Sequence, residues 1–301
     1  MHPAPIIAGP TTEAAENARG AALMTASLTA FALNDTFTKA VSDALPLFEI
    51  LLWRGVLVSV ALVLFTWARG TLRLAMGARD WFWTAVRTAA EIGTAYFFLN
   101  ALFNMPIANA TAILQTVPLT VTLAGALFLG EAVGWRRWAA IGVGFAGVLM
   151  IARPGPSGFD LHALQAMAAV LCVTLRDVAT RQLSASVPTA TIAVTAAVGV
   201  TAYAAAMCLG QPLTPLAPLA WAQVAGAAAF IMAAYVLSVG AVRVGDISFV
   251  APFRYTGILA AIVLGAVVLG EWPDALALAG AGVVTASGVY TFHRERRVEA
   301  G

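Results

Sequence analysis

Residues 33–46 read LNDTFTKAVSDALP, and residues 175–188 read LRDVATRQLSASVP. Leu33 aligns with Leu175, Asp35 with Asp177, Thr38 with Thr180, Lys39 with Arg181, Ser42 with Ser184 and Pro46 with Pro188. A second match follows at nearly the same offset, where Leu129-Gly130-Glu131 returns as Leu269-Gly270-Glu271. Two matches in register, so far apart, mark an internal duplication of one structural unit. The solvent of that unit is read from composition: 60% of the 301 residues are hydrophobic and 11% charged, against about a quarter charged in soluble domains. Such a chain lacks the polar surface to face water, so the bilayer is its solvent.

Crossing ~30 Å of hydrocarbon takes about 20 apolar residues in a helix. Ten stretches qualify, at 20–41, 46–68, 80–102, 106–128, 134–152, 161–184, 188–209, 217–241, 247–269 and 275–293. The expected fold is an all-α integral membrane protein of ten transmembrane helices. Residues 1–19 read as a disordered tail, 20–155 as a first five-helix repeat and 156–296 as a second. Five is odd, so the second copy enters the membrane from the opposite side. Inverted repeats of this kind build secondary transporters, with the substrate site where the repeats meet. The connecting loops are short and leave no room for a soluble domain. Cys172 and Cys208 fall inside spans and read as small apolar thiols rather than a disulfide or metal site.

Loop arginines set the orientation, because cytoplasmic loops retain positive charge. Arg19, Arg69, Arg73, Arg79, Arg136, Arg137, Arg243, Arg294, Arg296 and Arg297 collect on one side, and little more than Arg153 on the other. Both termini are therefore expected in the cytoplasm. The two Leu-Gly-Glu motifs agree: Glu131 precedes Trp135-Arg136-Arg137, whereas Glu271 precedes Trp272-Pro273-Asp274. In the fifth and tenth spans, Gly142-x-x-x-Ala146 and Gly282-x-x-x-Ala286 have the spacing that lets helices approach closely in lipid. These spans read as peripheral packing helices, open to pairing with each other or to self-association.

Ionisable groups inside spans point to function, since a charge in hydrocarbon costs at least ~2.5–3.5 kcal/mol on insertion scales unless paired or wetted. Asp35 and Lys39 stand at i, i+4, as do Asp177 and Arg181, so each pair is expected to close a local ion pair. The turn near residue 44 sets Lys39 level with Glu49 and Asp35 level with Arg54, a four-residue charge cluster at one end of the first repeat. These six residues are candidates for gates or for charges that hold helix ends. Deeper polar residues are the substrate candidates. Span 3 carries Arg87, Glu91, Tyr96 and Asn100; span 4 shows Thr111, Gln115, Pro118 and Thr122 on one helical face; span 6 adds Arg176 and span 8 adds Tyr235. Arg254 and Tyr255 follow Pro252, which removes a backbone hydrogen bond and kinks span 9. An arginine in such a place holds a carboxylate bidentately, and aromatic rings supply apolar walls. The combination suits a small amphipathic anion or zwitterion, with helix-to-helix hydrogen bonding as the alternative role of each residue.

Ten spans, a five-plus-five inverted repeat, apolar segments ending in Leu-Gly-Glu after spans 4 and 9, and cytoplasmic termini together resemble the drug/metabolite transporter superfamily, specifically its EamA-type exporters. The resemblance covers residues 20–296, and its most similar type is the YddG group of aromatic amino-acid exporters. It implies a multi-pass protein of the bacterial inner membrane that exports small metabolites, amino acids above all, by alternating access, with a cavity formed by spans 1, 3, 4, 6, 8 and 9. Other members carry cationic drugs, nucleosides or sugar conjugates, and these stay open as alternatives. No cofactor, metal or nucleic-acid partner is expected. An enzyme is disfavoured because His2, His162 and His293 are the three histidines, and no H-E-x-x-H or nucleophile-elbow pattern lies within a span. A channel would call for a ring of like residues from identical subunits.

Overall fold

The computed structural model describes residues 10–128, 134–153, 160–244 and 246–299, and every regular element within them is helical. In chain order these are α1 (Pro10–Ala40), α2 (Leu47–Ala68), α3 (Ala78–Asn104), α4 (Ile107–Leu114), α5 (Val117–Phe128), α6 (Trp135–Ala152), α7 (Leu161–Arg181), α8 (Thr189–Cys208), α9 (Pro218–Val244), α10 (Ile247–Val250), a 3-10 stretch (Ala251–Tyr255), α11 (Thr256–Val268) and α12 (Ala275–Glu299). Span 4 is thus built from two helical pieces and span 9 from three. Six spans are long and apolar enough to cross a membrane on those grounds alone, namely α2, α4 with α5, α7, α8, α9 and the segment Ala251–Val268. Large apolar side chains such as Trp67, Leu171, Val236 and Val267 face outward, as a surface in lipid requires. One boundary differs from the sequence reading: α1 begins at Pro10, so residues 10–19 extend the first span instead of forming a loose tail. Alanine and glutamate in TTEAAENA favour helix. Leu129-Gly130-Glu131 lies outside the described residues.

The duplication is visible in which helices touch. The tightest pairings are α1 with α9, α3 with α7, α2 with α8 and α6 with α12. The first span of one repeat therefore packs on the third of the other, twice over; second packs on second, and fifth on fifth. Each contact recurs with the repeats exchanged, which is the signature of a two-fold relation. Lipid provides no hydrophobic drive between helices, so close backbone approach carries the packing. Gly147 and Gly280 meet where α6 crosses α12; Gly93 admits Cys172 of α7, and Gly55 admits Thr201 of α8. The glycines read from the sequence as the close-approach pair do not serve that purpose. A Cβ at Gly142 or Gly282 would meet nothing within 4 Å, so those positions face away from the α6–α12 crossing.

The same relation holds at the helix ends. Pro46 and Pro188 precede α2 and α8, and the third residue of each helix ties down an extended loop. Glu49 accepts from the backbone N–H and the hydroxyl of Thr214, both at 3.1 Å. Thr191 accepts from the Arg73 N–H and donates to the Arg73 carbonyl, both at 3.0 Å. Glu49 is therefore a loop anchor and not part of a charge cluster with Lys39. Both broken spans break at matching positions. Pro118 and Pro252 each withhold the N–H that would continue the ladder, leaving Gln115 at the end of α4 and Tyr255 at the end of the 3-10 stretch.

Candidate substrate site

Ionisable groups from five helices meet in the interior. Arg87 and Glu91 lie one turn apart on α3, and α7 packs along that helix. From α7, Arg176 Nη1 reaches Glu91 Oε2 at 3.5 Å, and Arg87 Nη2 stands 3.9 Å from the same oxygen. Arg176 Nε donates to Asp177 Oδ1 at 3.0 Å, and Arg87 Nε donates to Thr180 Oγ1 at 3.1 Å. The remaining guanidinium nitrogen of Arg87, Nη1, is buried without an acceptor. From α9, the Tyr235 ring sits edge-on to Phe31, with centroids 5.3 Å apart. Its surface is 48% exposed, and it lies within electrostatic reach of Glu91, Arg176, Arg87 and Arg54. On α2, Arg54 Nη1 donates to Asn34 Oδ1 at 3.2 Å and Thr38 Oγ1 at 3.4 Å, while Asn34 Nδ2 donates to Asp35 Oδ1 at 2.8 Å. Three arginines (54, 87, 176) and three carboxylates (35, 91, 177) thus share one interior region. The set is balanced in formal charge, yet Arg87 keeps a donor to spare.

Several residues expected to line the site lie elsewhere. Tyr96 stacks on Phe48, with ring centroids 6.0 Å apart, and Phe48 meets Tyr203 edge-on. Asn100 bonds its own helix at the Tyr96 carbonyl; it stands nine residues, or half a turn in phase, from Glu91. Tyr255 is 4% exposed, with an unpartnered hydroxyl against Gly288, where no side chain would fit. Arg254 is exposed, and its backbone carbonyl accepts from Gln115 Nε2 at 2.9 Å. That bond joins the two broken spans at their break points. Thr122 bonds the Pro118 carbonyl, and Thr111 Oγ1 is buried without a partner. An apolar groove of about 840 Å³ between α1, α9 and α10, lined by Ala22, Thr25, Phe230, Leu237 and Phe253, holds none of the six charges.

The expected local ion pairs are also rearranged. Lys39 does not pair with Asp35; it bonds the Glu271 carboxylate and the Met105 carbonyl. Glu271 Oε2 in turn accepts from the Ile107 N–H at 3.0 Å. The second Leu-Gly-Glu motif therefore ties the ends of α1 and α3 to the start of α4. Asp177, expected to partner Arg181 one turn on, accepts from Arg176. Sequence reasoning takes Glu271 as a repeat marker and misses its bond. A signal for it exists: the glutamate recurs in register with the basic residue at 39 and 181. Thr38 and Thr180 likewise stand out as repeated residues and not as ligands of arginine.

The profile of the EamA-like transporter family matches residues 18–153 and again 161–292. A riboflavin transporter of Vibrio cholerae is 26% identical over 217 residues, covering 72% of this chain and 73% of that protein. An S-adenosylmethionine uptake transporter of Rickettsia bellii is 22% identical, covering 90% and 92%, and a pseudopaline exporter of Pseudomonas aeruginosa is 26% identical, covering 83% and 87%. A solved structure titled only as a protein crystal structure superposes with a TM-score of 0.61 at 23% identity, covering 92% of this chain and 99% of that one. These relatives are named for riboflavin, S-adenosylmethionine and pseudopaline, and not for aromatic amino acids.

Proposed function

The chain belongs to the EamA-like transporter family, and on that premise we propose that it carries small zwitterions of the amino-acid kind, including those with apolar or aromatic groups, by alternating access between its two repeats. The observation that carries this reading is the buried, unpartnered Nη1 of Arg87 beside the accessible face of Tyr235. A buried donor left without an acceptor costs about 1–3 kcal/mol, and a substrate carboxylate would relieve that cost with a charge-assisted bond. Glu91 and Asp177 offer acceptors to an ammonium group a short distance away, and Phe31 with Tyr235 forms an apolar wall for a side chain. Glu91 is shared by two arginines, which lowers its pull on a bare cation and disfavours cationic drugs. One relative supports the combination, since S-adenosylmethionine joins an amino-acid end to an aromatic base, while riboflavin, an aromatic ring system, supports the apolar wall alone.

The arginine-rich loops support a reading in which the protein sits in a bacterial inner membrane with its termini and the Arg69–Arg79 loop toward the cytoplasm. The test is counterflow in proteoliposomes loaded with phenylalanine or methionine. Saturable exchange is expected, with Arg87→Gln raising the half-saturating concentration ten- to a hundred-fold, the range of a charge-assisted hydrogen bond. Saturable movement of quaternary ammonium compounds without amino-acid competition, and its collapse in Glu91→Gln, overturns the reading.

A further inference from the structure

The repeated stretch builds the same small device twice, and each copy holds one arginine. In the first copy Asn34 donates to Asp35, and Thr38, one turn on, accepts from Arg54 of α2. In the second, Arg176 donates to Asp177, and Thr180, one turn on, accepts from Arg87 of α3. The alignment that pairs Asp35 with Asp177 also pairs position 34 with 176 and 38 with 180. Both arginines come from the first repeat, and each donates to the threonine of its motif; Arg54 also reaches Asn34, whereas Arg87 turns its other side to Glu91. The copies differ in charge. The second has two guanidinium groups and the extra carboxylate Glu91, whereas the first holds Arg54 by an amide and a hydroxyl, neutral oxygens both. Among the described residues, no carboxylate lies within 4.0 Å of Arg54.

From this we infer that Arg54 is the centre of a second carboxylate station, on the opposite side of the membrane midplane from Arg87, so that a substrate acid group passes from one arginine to the other as the carrier switches. This rests on the carboxylate reading of Arg87 above. Arg54 is seven residues from the start of α2, and Arg87 nine from the start of α3, which begins at the other face. At 1.5 Å per residue these are depths of roughly 10 Å and 13 Å, leaving on the order of 7 Å between the two levels in a ~30 Å core. That gap is shorter than an amino acid bearing a large side chain. Tyr235 lies within electrostatic reach of both arginines and so flanks the passage between them. Arg54 is held directly through one nitrogen by neutral oxygens, and the acid it is most strongly coupled to, Asp35, bonds Asn34 and not the guanidinium, so the remaining donors stay available to an incoming acid.

The inference makes each arginine matter from one face. Zero-trans transport of phenylalanine and of phenylalanine amide, which lacks the acid, is measured from each side of proteoliposomes whose protein orientation is fixed by blocking one population. Arg54→Gln is expected to raise the half-saturating concentration for phenylalanine at least ten-fold from the face where α2 begins, and less than two-fold from the other; Arg87→Gln is expected to do the reverse. The amide is expected to be insensitive to both. Arg54→Lys keeps the charge and loses the fork, so a smaller loss on the same face is expected; it is read in the same way should Arg54→Gln fail to fold. Equal changes from both faces, or a loss confined to thermal stability, make Arg54 a helix staple and overturn the second station. If the unaltered protein moves phenylalanine and its amide alike from both faces, the carboxylate reading of Arg87 falls first, and the two failures are told apart.

Discussion

Alanine at position 280 tests the packing logic of the fold most sharply. Where α6 crosses α12, a Cβ on Gly280 would lie 2.7 Å from the Gly147 carbonyl oxygen, 2.8 Å from Ile151 Cγ1 and 3.1 Å from Met150 Cβ. Ordinary carbon contacts sit near 3.5–4.0 Å. Ile151 can change rotamer, but the carbonyl is part of a helix and moves only with it, so α12 must back away by about 0.5–1 Å. A gap of that size forfeits a quarter to a half of each dispersion contact along the seam, and overpacking of this kind costs about 1–3 kcal/mol. Two kcal/mol is roughly thirty-fold in the folded-to-unfolded ratio. Gly282→Ala is the control within the same helix: its Cβ meets nothing within 4 Å, and the expected change stays within ~0.5 kcal/mol. Unfolding of the detergent-solubilised protein with increasing sodium dodecyl sulfate, followed by tryptophan fluorescence, reads both. Equal stability of the two variants refutes the Gly147–Gly280 contact. Destabilisation by Gly282→Ala alone restores the Gly-x-x-x-Ala seam read from the sequence.

Glu271→Gln keeps the shape but removes the charge that Lys39 pairs with, and breaking a partly buried pair from one side costs up to ~3 kcal/mol; the expected outcome is a population shift toward opening at that end, checked by faster thiol labelling of Met105→Cys. Unchanged labelling means that the bond is not a latch. Outside the membrane, the Ala277 N–H, aided by the Arg153 guanidinium, holds the Asp274 carboxyl below the usual carboxylate range. Stability from a depressed carboxyl is full above the unfolded value of about 3.9 and is lost as pH falls through the folded one, so the amide protection factor at the start of α12, exchange divided by its intrinsic rate at each pH, is expected to be flat from pH 8 to 5 and to fall only at lower pH; a fall already at pH 6 assigns the change to another group. Reporter fusions within residues 69–79 are expected to report cytoplasm and those within 210–216 the opposite compartment. The same compartment for both removes the inverted-repeat topology.

Much of the architecture was legible because it depends on patterns that a sequence carries in one dimension. Apolar length gave the spans, a repeated string gave the duplication, and Pro252 marked one of the helices that break; the break beside Pro118 does not show, because its spacing counts that residue with a polar face. What failed was pairing. Asp35 and Lys39 at i, i+4 satisfy the rule for a surface helix, yet in a bundle the competing partners come from helices whose rotation no local pattern fixes, and Glu271 won Lys39 because its Leu-Gly-Glu turn packs against the end of a repeated helix. Tyr96 and Asn100 were grouped with Glu91 because they share α3, but a helix shows different faces to its neighbours, and these two face an aromatic stack and their own backbone. The Gly-x-x-x-Ala stripe failed for the same reason: the spacing specifies one face capable of close approach and says nothing of which face meets a helix.

The departures from symmetry follow a single rule. Where the duplicated halves do the same mechanical work, their residues differ freely in chemistry: Glu49 and Thr191 anchor equivalent loops with a carboxylate and a hydroxyl. Where charge enters the interior, the halves differ: Arg176 of the second repeat stands where the first has Asn34. Arg54, Arg87 and Glu91 all belong to the first repeat, and counterpart positions in the second carry small or apolar residues such as Ala196 and Ile231. A symmetric pair of stations needs no symmetric supply of charge, because each repeated Asp-x-x-Thr element is completed by an arginine of the first repeat. A second arginine opposite Arg54 would place an unpaired cation in hydrocarbon, at a cost of at least ~2.5–3.5 kcal/mol, with no carboxylate positioned to offset it. Together with Arg176 of the second repeat, the two arginines of the first keep three cations against three acids, a balance that the proposed zwitterion would not upset.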